Sequence, residues 1–137
     1  MAPLVLGVLE TSLYVANVEA SAAFYKRVFG FPVIHAEGDR LRALSVSDKQ
    51  VLLLFRVGGS LAPTDTPNGR IPPHDGFGSL HVAFSIAADA VTPWLEHLRS
   101  MDVPVESQVH CGGHSIYFRD PDCHLLELIT SGCWSIF

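Results

Sequence analysis

The chain states one pattern twice. Residues 8–16, VLETSLYVA, read as a strand, and 17–30, NVEASAAFYKRVFG, read as a helix. In the helix Val18, Ala22, Tyr25 and Phe29 recur at steps of four, three and four, which is one helical face. Asn17 is placed to cap its start and Gly30 to end it. Three short strands follow, FPVIHAE (31–37), LRALSVS (41–47) and QVLLLFRV (50–57), separated by turn signals at 38–39 and 47–49. The order then restarts. LHVAFSI (80–86) is a strand, and ADAVTPWLEHLRSM (88–101) is a helix with Pro93 in its first turn, where a missing N–H costs little. VPVESQV (103–109), HSIYFRD (114–120) and HLLELIT (124–130) are strands. A doubled β-α-β-β-β order excludes an alternating parallel β/α fold and predicts an α+β domain. The expected organisation is one domain over 1–137: module one at about 5–57, a Gly- and Pro-rich linker loop at 58–78, and module two at about 79–131. Long loops in compact domains often lie over functional sites.

Composition narrows the function classes. Apolar residues make up 48% and charged residues 17%, which describes a folded chain. Nine basic residues lie scattered in a chain of net charge −5, so nucleic acid is excluded as a partner. The opening MAPLVLGVLE has no basic n-region, and its apolar run is too short to span a membrane. The cytoplasm is therefore the expected location. Three cysteines, an odd count with no C-x-x-C pair, argue against a disulfide framework. Cys111, Cys123 and Cys133 are expected as ordinary thiols, with Cys111 and Cys123 near turns.

The repeat aligns the chain with itself. LETSLYV laid on LHVAFSI puts Glu10 opposite His81, and QVLLLF laid on HLLELI puts Leu53 opposite Glu127. Strand parity agrees. Glu10, Ser12 and Tyr14 share one face, His81, Ala83 and Ser85 another, and Leu125, Glu127 and Ile129 a third. The reverse faces, such as Leu80, Val82, Phe84 and Ile86, are apolar and suit packing under helices. Each polar residue has a plainer reading. Glu10 alone would be an exposed carboxylate or a partner of an arginine such as Arg119. His81 alone would be a satisfied core histidine. Their shared register makes metal ligation the sharper reading, because a carboxylate buried without a partner is costly. His74, on the central loop, is a solvated residue or an acid–base group. Tyr14, Tyr117 and Arg119 are candidate substrate contacts, although spacing does not assign a face to the last two. His124, Asp120 and Asp122 suit the turn in DPDCH.

These stretches resemble the vicinal oxygen chelate superfamily, whose members include glyoxalase I, fosfomycin-resistance enzymes, extradiol dioxygenases and bleomycin-binding proteins. LETSLYVANVEASAAFYKRVFGF is similar to the family's opening strand and helix. GSLHVAFSI is similar to its second-half strand, and YFRDPDCHLLELI to its closing hairpin. The resemblance implies two βαβββ modules forming a curved eight-stranded mixed sheet, with helices on its convex side. It implies a homodimer and four pseudo-symmetric ligand positions, here Glu10, Leu53, His81 and Glu127. The first is usually His in the family, and the second is a carboxylate or its equivalent in glyoxalase I. Cys123 stands where the family's turn usually has Gly.

Two carboxylates and one imidazole suit a divalent ion: Mn, Fe, Co, Ni, Zn or Mg. The expected chemistry is Lewis-acid catalysis on a small-molecule substrate with two adjacent oxygens. Glu10, Glu127 and His74 are the candidate acid–base groups. Oxygen activation is the runner-up, since it favours two His and one carboxylate. A metal-free protein that sequesters a drug in an aromatic-lined groove is the alternative of another class.

Overall fold

The first helix forms where its ends are written into the chain. In the computed structural model, which describes residues 1–137, α1 spans Val18–Phe29. Asn17 is extended and its side chain accepts the Ala20 N–H at 2.9 Å. Glu19 sits in the first turn and Lys26 and Arg27 in the last, which suits the helix dipole. Gly30 adopts φ 75°, and its N–H returns to the Lys26 carbonyl. Val18, Ala22, Phe24, Tyr25 and Val28 are buried, and the helix packs on the third and fourth strands of its own module.

Module one has β1 (Glu10–Val15), β2 (Val33–Glu37), β3 (Leu41–Val46) and β4 (Gln50–Arg56), in the order β1-β4-β3-β2. β1 runs parallel to β4, and the other pairs are antiparallel. Leu13, Val15, Leu52 and Leu54 are all but fully buried. Each stabilises the fold by about 1.5–3 kcal/mol relative to exposure. The other face carries Glu10 in register with Val51, Ser12 with Leu53 and Tyr14 with Phe55. Part of the expected loop at 58–78 is a hairpin, β5 (Thr64–Thr66) and β6 (Gly69–Ile71). The turn between them is Pro67-Asn68, and the Thr66 hydroxyl donates to the Gly69 carbonyl.

Module two repeats the plan with β7 (His81–Ser85), α2 (Val91–Ser100), β8 (Val105–His110), β9 (His114–Arg119) and β10 (Leu125–Ile129), in the order β7-β10-β9-β8. Again the first strand is parallel to the last. A register shift recurs between the same two strands of each module, at Val33/His35 and Val105/Ser107. Ile116, Phe118, Leu126 and Leu128 fill the core under this sheet. The helix expected at 88–101 begins as a 3-10 turn at Ala88–Ala90, with no side-chain cap, and only Leu98 on it is fully buried. The architecture is α+β: two βαβββ modules whose mixed sheets supply eight strands. The chain divides into two compact units, Met1–Phe77 and Gly78–Phe137.

The cysteine expectation is corrected. Cys111 and Cys133 form a disulfide, and only Cys123 is free. The turn after β8 and the tail after β10 run against each other. A Cβ on Gly113 would lie 2.2 Å from the Ser131 carbonyl, and one on Gly132 would lie 2.4 Å from that of Gly112. Glycine is required at this approach, which brings together two thiols 22 residues apart. Cys123 adopts φ 64°, the left-handed region that a glycine would occupy without strain. No helix is long and apolar enough to cross a membrane.

Candidate functional site

On module two, β10 carries Glu127 between Leu126 and Leu128, and strand alternation turns it away from the helix side. It is buried, with 7% exposure. The Ser115 hydroxyl, on neighbouring β9, donates to Glu127 Oε2 at 2.5 Å. The Tyr117 phenol hydrogen-bonds the same carboxylate. Glu127 Oε1 lies 3.3 Å from His81 Nε2. His81 Nδ1 lies 2.9 Å from the Leu125 carbonyl oxygen, which can only accept, so Nδ1 is the donor. In neutral imidazole this leaves a lone pair on Nε2, aimed at a carboxylate oxygen. Two acceptors that face each other call for a second proton on the ring or a cation beside both. His81 and Glu127 thus supply two of the donors that a divalent metal takes, with the backbone contact fixing the tautomer that a ligand needs. Arg119 shares this face, two residues from Tyr117. Its guanidinium is held by Glu106 at 2.7 and 3.1 Å and by the Ser79 hydroxyl at 3.1 Å.

On module one, Glu10, Ser12 and Tyr14 of β1 line a cavity of about 430 Å³ with Leu53, Phe55 and Arg40. Ile71 of the hairpin and His74 complete its wall. Tyr14 Oη and His74 Nδ1 are 2.8 Å apart, and both rings stack or abut Phe55. Gly76 lies against the Tyr14 ring, where a Cβ would come within 2.7 Å of Cδ2. The His74 N–H donates to the Ser60 carbonyl and Asp75 Oδ1 accepts the Gly58 N–H, so the 74–76 segment is tied to β1 and β4's exit. Arg40 ion-pairs with Glu37 and donates to Ser60 Oγ at 2.9 Å.

The sequence-derived residues thus fall in two groups. Module two assembles His81, Glu127 and Tyr117, with Arg119 on the same face. Module one assembles Glu10, Tyr14 and His74 around one cavity, with Leu53 at the fourth ligand position. One unit supplies a pair of ligand residues, since no three His, Cys, Asp or Glu side chains lie close enough to hold a metal ion. Ser115 was not singled out from the sequence, although its parity with Tyr117 and Arg119 in HSIYFRD is a signal that finds it. Glu37 and Arg40 carried no such signal, because a turn sets their direction. His124 is fully buried; its ring accepts the Leu80 N–H and its backbone N–H donates to Asp120 Oδ1, so it fixes the DPDCH turn as expected.

Burial, and secondarily the charge of Asp75, pushes the Tyr14 phenol above its ordinary value of 10.0. Burial, then Glu127, does the same to Tyr117. A phenol whose pKa is raised by folding stabilises the fold while protonated, and that contribution disappears as pH climbs through the ordinary value and then the folded one. Phenolate absorbance from these two residues is expected at higher pH than for free tyrosine, with Tyr14→Phe and Tyr117→Phe each removing one late-titrating step. Titration at or below the free-tyrosine value would contradict the partial burial of both phenols.

The family model described as the Glyoxalase/Bleomycin resistance protein/Dioxygenase superfamily matches residues 7–128. The chain is 30% identical to a crystal structure of lactoylglutathione lyase from Agrobacterium tumefaciens, with a TM-score of 0.84 over 95% of this chain and 97% of that one. It is 27% identical over 132 residues to fosfomycin resistance protein FosX of Listeria monocytogenes, covering 91% of this chain and 90% of the relative. A variant of that FosX, crystallised with Mn(II) and 1S,2S-dihydroxypropylphosphonic acid, has the same fold, at 22% identity and a TM-score of 0.66 over 92% of this chain and 90% of that one.

Proposed function

The chain belongs to the glyoxalase/bleomycin resistance protein/dioxygenase superfamily, and from that premise we propose that it is a metal-dependent enzyme acting on a small molecule with two adjacent oxygens. The observation that carries this reading is the His81 Nε2–Glu127 Oε1 gap, where two acceptors meet beside a buried carboxylate. His81 and Glu127 would hold the ion, and Glu10 is proposed to reach it from the partner chain of a dimer, since no three such side chains of one chain lie close enough. Mn(II) in the FosX structure supports a divalent metal of that kind. When bound, the metal supplies Lewis acidity toward oxygens on which negative charge develops.

The protein's own groups do the rest. The Leu125 carbonyl holds the His81 tautomer, and Ser115 holds Glu127 with Oε1 presented toward His81. The Tyr14 and Tyr117 phenols stay protonated at neutral pH, Tyr117 donating to Glu127 and offering its oxygen to substrate as an acceptor. Tyr14 and His74 share one proton across 2.8 Å at the cavity wall, so either atom can give or take a proton there. His74 and Gly76 lie along that wall, with Thr64 and Ile71 of the hairpin beside them.

The working form is proposed as a homodimer. β1 and β7 each hydrogen-bond a neighbouring strand on one side only, and unguarded edges of that kind invite pairing. The apolar arm ahead of β1 is exposed, with Leu4, Val5 and Leu6 all above 80%. Light scattering at micromolar concentration is expected to give twice the mass of the chain. A monomer would refute the assembly.

Elemental analysis of protein purified without oxygen tests the metal reading, with the expected result near one divalent ion per chain. Metal-free protein that takes up none on reconstitution leaves the sequestering reading, which the Tyr14–Phe55 stack in the cavity favours. Ser115→Ala is expected to weaken metal binding about 10- to 100-fold, as loss of an outer hydrogen bond to a ligand does. Ser115→Thr should restore most of it. Unchanged affinity in the Ala variant would show that Ser115 does not orient Glu127.

A further inference from the structure

Module two carries a second pair of imidazoles, on the face of its sheet away from Glu127. Ser115 and Tyr117 stand opposite Ile129 and Glu127. Alternation therefore puts His114, with the buried Ile116 and Phe118, on the reverse face. His114 is the register partner of His110 across the β8–β9 turn. Side chains directly opposite on antiparallel strands project side by side, and the two ring centroids lie 4.4 Å apart. With metal–nitrogen distances of about 2.0–2.1 Å, two imidazoles at adjacent positions on one ion have centroids about 4.5 Å apart. Gln108, two residues before His110 on β8, places its side-chain oxygen 2.8 Å from His114 Nε2. An amide oxygen only accepts, so Nε2 donates and, in neutral imidazole, Nδ1 keeps a lone pair. Ligating histidines have an outer acceptor of this kind, which fixes the ring and its tautomer. The backbone is held as well. The His114 N–H donates to Thr130 Oγ1 at 2.8 Å, and the Thr130 N–H donates to the His114 carbonyl at 3.0 Å. Between the two histidines the Cys111 N–H donates to the Gly113 carbonyl, and Cys111 is bonded to Cys133. An ion that meets this hairpin end has little chain to order. No third His, Cys, Asp or Glu side chain lies close enough to join the pair, so both protein donors are nitrogen and water fills the other positions. Imidazole without carboxylate suits Cu²⁺, Ni²⁺ and Zn²⁺, whereas Mn²⁺ and Mg²⁺ take oxygen.

We infer that His110 and His114 form a binding site for one Cu²⁺, Ni²⁺ or Zn²⁺ ion, which bridges β8 and β9 on the sheet face opposite Glu127. The site stands whether or not His81 and Glu127 hold a metal, because it shares no residue with them.

The test is calorimetric titration with Ni²⁺ of the full chain carrying His81→Ala and Cys123→Ser, which removes the imidazole of the other face and the free thiol. One ion per chain is expected. His110→Asn, at an exposed position, should weaken that binding about tenfold or more, and His114→Asn should do the same. Gln108→Leu, which removes the outer acceptor, should weaken it about tenfold. Mn²⁺ should bind about 100-fold more weakly than Ni²⁺. In nuclear magnetic resonance spectra of the same protein, substoichiometric Cu²⁺ should broaden the imidazole signals of His110 and His114 before those of His97. Absence of Ni²⁺ uptake overturns the inference. So does uptake that His110→Asn leaves in place, Mn²⁺ binding as tight as that of Ni²⁺, or broadening that falls equally on His97.

Discussion

Chelator-treated protein given Mn²⁺ at one hundred times its dissociation constant should melt about 9 °C higher. Linkage at that saturation contributes about 2.7 kcal/mol, because the folded state binds the ion and the unfolded chain hardly does. The unfolding entropy of a chain of this length converts that to the temperature shift. His81→Ala and Glu127→Ala should each remove nearly all of the rise. In the first the imidazole nitrogen facing Oε1 is gone, and in the second the buried carboxylate is gone. Glu10→Ala should remove most of it. His74→Ala should leave it in place, since His74 is bonded to Tyr14 and not to a ligand residue. Leu53→Glu should enlarge it by adding an oxygen donor at the fourth repeat position. A thermal-shift series with Mn²⁺, Ni²⁺, Zn²⁺ and Mg²⁺ makes the measurement. A wild type that no metal shifts, or Ala variants that shift as it does, would leave the sequestering reading standing.

Opening the Cys111–Cys133 link is the second large effect. The closed segment spans 22 residues, for which the chain-entropy treatment gives about 3 kcal/mol of stabilisation, acting on the unfolded state. Cys133→Ser should lower the melting temperature by about 10 °C on the same conversion. Reductant should do the same to the wild type and nothing further to the variant. Thiol titration should count one reactive group, Cys123, in the native chain and three after reduction. Three reactive thiols in native protein, with a melting curve indifferent to reductant, would show that the link does not form in solution.

Much of the fold was legible because local and long-range signals agreed. Asn17, the four-three-four spacing and Gly30 define α1 without help from the rest of the chain. The self-alignment placed Glu10 with His81 and Leu53 with Glu127, and the two parallel registers carry those pairs on matching strands. What was not legible depended on contacts distant in sequence. The start of α2 lacks a capping side chain, so its 3-10 turn left no mark. The hairpin within 58–78 is two three-residue strands, too short for alternation to register. The disulfide was hidden by an odd count, and only the approach of Gly113 to Ser131 reveals why those two thiols meet. Tyr117 and Arg119 needed the β9–β10 register to be assigned to the face of Glu127. Ser115 required both parity and register, and a serine inside a strand draws no attention by its type.

The parallel pairing of first strand to last has a consequence for synthesis. β1 has no partner until β4 exists, since its register runs from Glu10–Val51 to Val15–Arg56. β7 likewise waits for β10. A ribosome must therefore release some forty further residues before either strand can dock, and Glu127 itself arrives only with the last strand. While the chain is being made, Glu10 and His81 are separate, unplaced side chains with no geometry to offer a passing ion. For the whole of that interval β1 and β7 stand without the parallel partner that each has in the finished sheet.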